Sequence, residues 1–125
     1  MKLSLLKLED KISTPMKILT VIKRHQSNYP HPISFKKGDI LSVGRRDEEY
    51  EGWLRVTTKD GNEGWAPEQY INVRSRYGIA MENYCAKELD TYVGEQLLVL
   101  HELNEWVWVK NSNERCGWVP LKTTK

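Results

Sequence analysis

Three histidines (His25, His31, His101) and two cysteines (Cys85, Cys116) are the side chains best suited to metal or nucleophilic chemistry, and their spacing fits neither. No Cys-x-x-Cys or His-Glu-x-x-His run occurs, and neither does a nucleophile elbow, a phosphate loop or a paired-carboxylate motif. The expectation is a protein that is no enzyme and holds no metal or cofactor. The distinctive residues are aromatic. Trp53, Trp65 and Pro67 in "GWLRVTTKDGNEGWAP" return as Trp106, Trp118 and Pro120 in "EWVWVKNSNERCGWVP". A constant 53 positions separates Trp53 from Trp106, Gly64 from Gly117, Trp65 from Trp118 and Pro67 from Pro120, which marks an internal repeat. Indole rings beside proline do non-covalent chemistry: they stack on flat, extended ligands.

The elements that must position these rings are strands. "KILTVIK", "ISFKKGDILSV", "GWLRVTT", "EGWAP" and "YINV" alternate apolar and polar residues, with turn-forming stretches between them. Asp60-Gly61 is a hairpin signal, because glycine accepts the positive φ that such turns need. Within "GWLRV", alternation puts Trp53 and Arg55 on one face and Leu54 and Val56 on the other. "EGWAP" places Trp65 with Pro67, and the second copy sets Trp106 and Trp108 against Val107 and Val109, then Trp118 and Pro120 against Val119. Branched aliphatics make the better interior, so the tryptophans and prolines are expected to face outward as an interaction surface. The competing reading makes one or two of them caps on an open barrel end.

The expected fold class is all-β: two tandem small five-stranded antiparallel barrels with a short N-terminal extension. The extension covers residues 1–15 and the domains cover residues 16–74 and 76–125. The second domain has a short first loop and a truncated last strand, since only "LKTTK" follows Pro120. The N-terminal "LSLLKL" is the candidate to cover that open edge. About five residues join the copies, a reach of at most ~18 Å, so their relative orientation is restricted.

Composition narrows the function. With 19 basic and 17 acidic residues the formal charge is +2, which argues against a nucleic-acid surface. No apolar run is long enough to cross a bilayer, and the N-terminus lacks a cleavage pattern for a signal peptide. Two cysteines, both in one copy, suit a reducing compartment, so the expected location is cytoplasmic; both are read as small buried hydrophobes.

Together these segments resemble the Src homology 3 (SH3) domain in two tandem copies, closest to variant bacterial modules. "ISFKKGDILSV", "GWLRV" and "GNEGWAPEQYINV" fit the family's second strand, tryptophan-bearing strand and final hairpin; "ELDTYVGEQLLVL", "EWVWV" and "CGWVP" fill the same slots in the second copy. The resemblance implies binding of extended, proline-rich peptides on aromatic grooves. It assigns Lys23, His25, Trp53, Trp65, Pro67 and Tyr70 to the groove of the first copy. To the second it assigns Glu82, Tyr84, Trp106, Trp108, Trp118 and Pro120, with Thr123 where the family has a late tyrosine. "RRDEEYEG" is three residues longer than "HELNE" and flanks the family's specificity pocket, so Asp47, Glu48, Glu49 and Glu51 are candidates to receive a basic side chain, or else form a solvated loop. The functional expectation is a non-catalytic adaptor for a protein or peptide partner. The alternatives are a small barrel that binds cell-wall polymer or nucleic acid, and a regulatory subunit of an enzyme.

Overall fold

The computed structural model describes residues 16–125. Its strands follow the alternation in the sequence. In β4 (Trp53–Thr57) Leu54 and Val56 are buried, and in β10 (Trp106–Lys110) Val107 and Val109 are fully so. Each is followed by a partner strand, β5 (Glu63–Pro67) and β11 (Cys116–Pro120), with Trp53 opposite Pro67 and Trp106 opposite Pro120. Gly61 turns the first of these hairpins at φ +86°, closed by a Thr58 carbonyl that accepts from the Gly61 amide at 2.9 Å.

Strands β3 (Ile40–Arg46) and β9 (Gln96–Leu103) extend these hairpins, but the strand next beyond each comes from the other copy. Strand β6 (Ile71–Val73) leads directly into β7 (Tyr77–Ala80), the first strand of the second copy, through a tight turn at Ser75-Arg76. The Arg74 amide donates to the Tyr77 carbonyl at 2.8 Å, and Ser75 takes a left-handed φ of 82°. A chain that reverses in two residues must pair its flanking strands with each other. Strand β7 is therefore held beside β6 and inserts against β3 (Ile40–Arg46), in a five-stranded sheet of order β5-β4-β3-β7-β6. Gly78 makes the fit possible, since a Cβ there would lie 2.5 Å from Ile71.

The second copy needs a first strand in turn, and the first copy supplies it. Strand β1 (Ile18–Thr20) pairs with β9 (Gln96–Leu103), Leu19 opposite Leu97, in a four-stranded sheet of order β1-β9-β10-β11. The segment also closes the short C-terminus: Thr20 and Lys125 exchange backbone bonds of 2.9 and 2.8 Å, and the Ile22 amide donates to Thr123 at 2.8 Å. The edge assigned to "LSLLKL" is thus met by Thr20–Ile22, while residues 1–15 lie outside the described residues. A two-stranded sheet, β2 (Ser34–Phe35) with β8 (Tyr84–Cys85), joins the crossing segments. The 3₁₀ turns Glu68–Tyr70 and Leu121–Thr123 are the only helical elements among the described residues.

The all-β expectation holds, but the two separate five-stranded barrels are replaced by sheets of five, four and two strands, none closed on itself. The expected boundary near residue 75 falls inside a hairpin. Each core draws on both copies. Ile33, Leu41, Leu54 and Val56 pack with Ala80, Tyr84 and Trp118; Leu97, Val107, Val109 and Val119 pack with Leu19 and Val21. Burying a side chain such as Leu19 or Val21 contributes roughly 1.5–3 kcal/mol, so each half draws stability from the other. The cysteine expectation is corrected: Cys85 is exposed and Cys116 half-buried, because both lie on short strands at the margins of the sheets.

Candidate functional site

The exchange turns the tryptophan faces of the two copies toward each other. Trp106 lies 6.2 Å from Trp53 and Trp118 6.5 Å from it, both edge-on. Trp118 also touches Trp108 at 5.4 Å and Tyr84 at 6.3 Å, and Tyr84 meets Tyr70 at 6.1 Å. All but the tilted Tyr84–Trp118 pair are edge-to-face, an arrangement that adds about 0.5–1.5 kcal/mol per pair beyond the buried area. Trp53 is only 6% exposed and Trp118 5%, and Pro67 and Pro120 are buried with them. The expectation that these residues face solvent is therefore wrong. Alternation did separate them from Leu54 and Val56, but the outward face of one copy is covered by the other. Trp65, Trp106 and Trp108 are half-buried.

Buried indole N–H groups need acceptors. Trp53 donates to the Asn104 carbonyl at 3.2 Å and Trp118 to the Cys85 carbonyl at 2.9 Å, so each is satisfied across the seam or by a crossing segment. Asn104, held in the left-handed region at φ 49°, clamps the halves together. Its amide donates to the Gly52 carbonyl and to Gln69 Oε1, both at 2.9 Å, and its Oδ1 accepts from Gln69 Nε2 at 2.7 Å. Gly52 sits at φ 93°, and a Cβ on it would come within 2.7 Å of the Asn104 side chain, so glycine is required there twice over.

The exchange also reshuffles the residues that the resemblance assigned to each groove. Lys23 is exposed, with its amide on the Thr123 carbonyl of the second copy. His25 stands edge-on to Trp106 at 5.7 Å rather than beside Trp53. Tyr84 is buried beside Tyr70 and donates to the Trp65 carbonyl at 3.3 Å; burial, above all, pushes its phenol well above the ordinary tyrosine range. Tyr70 pairs its hydroxyl with His101 Nε2 at 3.2 Å, and partial burial followed by the nearby Glu82 raises its pKa. Glu82 itself is exposed. The ring of Trp65 carries two guanidinium groups, Arg45 at 5.1 Å and Arg55 at 5.4 Å.

Where the crossing segments pass the β3–β4 loop, the seam opens into a cleft of about 380 Å³. Trp53, Trp65, Trp106 and Trp118 line it together with Tyr29 and Tyr50. Its polar wall includes His25 Nε2 and Glu88 Oε1, 2.7 Å apart with side chains 16% and 13% exposed. Of the four acids in the β3–β4 loop, Asp47 and Glu49 line the cleft and Glu48 and Glu51 do not. Asp47 also shapes the loop, since its Oδ1 accepts the amides of Glu49 at 2.8 Å and Tyr50 at 3.2 Å. Glu88, Tyr29, Tyr50 and Asn104 escaped the sequence reading. Glu88 and Tyr29 carry no local signal, since their position depends on the exchanged segments; Tyr50 was visible as the aromatic that ends the acidic run. Such a site can grip a ligand by stacking and charge.

Residues 20–74 match the family model of the variant SH3 domain. SH3 domains are generally non-catalytic modules that bind protein or peptide partners. The matched span holds Trp53, Trp65, Pro67 and Tyr70, while Tyr84, which completes their surroundings, comes from outside it. No helix among the described residues is long and apolar enough to cross a membrane.

Proposed function

We propose that the chain is a cytoplasmic, non-catalytic adaptor built from two tandem SH3-type repeats, and that it binds a protein or extended, proline-containing peptide in the cleft at the seam. The observation that carries this reading is the cleft itself, in which half-buried rings from both copies stay accessible while the paired grooves are consumed by mutual packing. An extended ligand loses little entropy on docking and offers flat faces to such rings. Because Trp53 is sealed, Trp106 is the better probe of binding.

The test is a titration of tryptophan fluorescence with a proline-rich peptide library, a cell-wall preparation and oligonucleotides. The expected response is to peptides alone, weakened at least tenfold by Trp106→Ala in a protein whose melting remains cooperative. A response only to oligonucleotides with a steep salt dependence, or only to cell-wall polymer, would replace this reading.

A further inference from the structure

Resting on the reading of the cleft as a peptide site, we infer that a second binding site continues it along the crossing segments, and that this site holds the next stretch of the same extended, proline-containing peptide. Beside the cleft lies a further recess of about 900 Å³, walled by residues drawn from 27–32, 87–95 and the turn between β10 and β11. Tyr29, Pro32 and Glu88 line both cavities. The two are therefore joined at one edge, and a ligand leaving the cleft on that side enters the recess.

The recess is a product of the strand exchange. The Thr91 amide donates to the His25 carbonyl at 2.9 Å and the Ser27 amide to Asp90 Oδ1 at 2.8 Å, which sets the two crossing segments side by side. The Trp118 amide donates to the Lys87 carbonyl at 2.9 Å, and a Cβ on Gly117 would lie 2.8 Å from the Leu89 nitrogen, so the second segment lies flush against β11. Asn111 Oδ1 accepts the amides of Asn113 at 2.9 Å and Arg115 at 3.0 Å and shapes the β10–β11 turn into the remaining wall.

The chemistry of these walls selects the ligand. The acidic acceptors are already engaged: Glu88 with His25 at 2.7 Å, Asp90 with the Ser27 amide, and Glu95 with the Tyr92 amide at 2.7 Å. The donors are not. Lys87 and Arg115 are exposed and make no ion pair among the described residues. Engaged acceptors beside open donors suit a chain of bare carbonyls, which a polyproline II peptide presents because it has no internal hydrogen bonds. Three fixed carboxylates against two cations disfavour an anion in the same place. The apolar surface fits the same ligand, since Tyr29 and Tyr92 are 46% and 57% exposed and offer rings on which prolines stack. The Arg24 guanidinium, 4.8 Å from the centroid of Tyr92, braces that ring.

The experiment uses the whole chain and compares a seven-residue proline-containing peptide with fourteen-residue versions extended at one end or the other. The added segment is proline-rich, glycine-serine or glutamate-rich. At one of the two ends the proline-rich addition is expected to tighten binding at least tenfold, because the linked second contact is intramolecular, and the glycine-serine addition less than threefold. In Tyr92→Ala and in Arg115→Ala, both changes at exposed side chains, the gain of the long peptide over the short one is expected to fall below threefold. Equal affinity for short and long peptides would overturn the second site and leave the cleft standing; no binding by any peptide would overturn both. A larger gain from the glutamate-rich segment would make the recess an anion site, and a gain that survives both substitutions would place the added segment elsewhere. Either result contradicts the assignment.

Discussion

Trp118→Ala is expected to lower the free energy of unfolding by about 3–5 kcal/mol, as removal of a large buried aromatic does when its surroundings cannot collapse. Trp118 is 5% exposed, packs against Trp53, Tyr84 and Trp108, and donates its indole N–H to the Cys85 carbonyl. The alanine variant therefore leaves a cavity in a core built from both copies, and strands a backbone acceptor. Against a total stability of about 5–15 kcal/mol for a protein of this kind, the change is a large fraction of the whole. Urea denaturation followed by far-ultraviolet circular dichroism measures it, with Trp65→Ala as the comparison. Trp65 occupies the matching position in the first copy but is half-buried under Arg45 and Arg55, so its truncation is expected to cost clearly less. Equal costs would mean that the two copies bury these rings alike, which the seam forbids.

Leu19→Ala is the second large effect, and its location matters more than its size. A loss of roughly 2–3 kcal/mol is expected for a leucine on a short strand. Leu19 belongs by sequence to the first copy but is buried among Leu97, Val107, Val109 and Val119. Hydrogen exchange reports opening segment by segment. The variant is expected to lose amide protection first in Gln96–Leu103 and Trp106–Lys110, leaving Ile40–Arg46 and Trp53–Thr57 less affected. Protection lost first in Ile40–Arg46 would mean that the first strand had returned to its own copy.

The contrast between these residues shows what the sequence could convey. The 53-residue offset and the alternation of Leu54 with Val56, or Val107 with Val109, were legible because they are local patterns set by the pleat of one strand. Which side of that pleat is covered is not local. Trp53 is sealed by Trp106 and Trp118, residues at least 53 positions away, so alternation could separate the indoles from the aliphatics without revealing that both faces are filled. The strand exchange was hidden for a different reason. It is enforced by the Ser75-Arg76 turn, and "VRSRY" contains no glycine, asparagine or proline to announce a reversal; Ser75 adopts the left-handed conformation without the usual residue. Assigning groove residues copy by copy therefore gave suitable residue types with the wrong neighbours. Tyr84 belongs beside Tyr70, and His25 beside Trp106. Of the acidic loop, Asp47 and Glu49 line the cleft, but their counterpart Glu88 could be found only once the crossing segments were in place.

The exchanged first strands underlie the seam and the cleft alike, and cross-strand nuclear Overhauser contacts between backbone protons test them most directly. The expected contacts join Thr20 to Gln96 and Ile79 to Ile40, the partners seen in the two larger sheets. Contacts joining Thr20 to Ile40 and Ile79 to Gln96 would show each copy folded on its own first strand, and would contradict the shared seam.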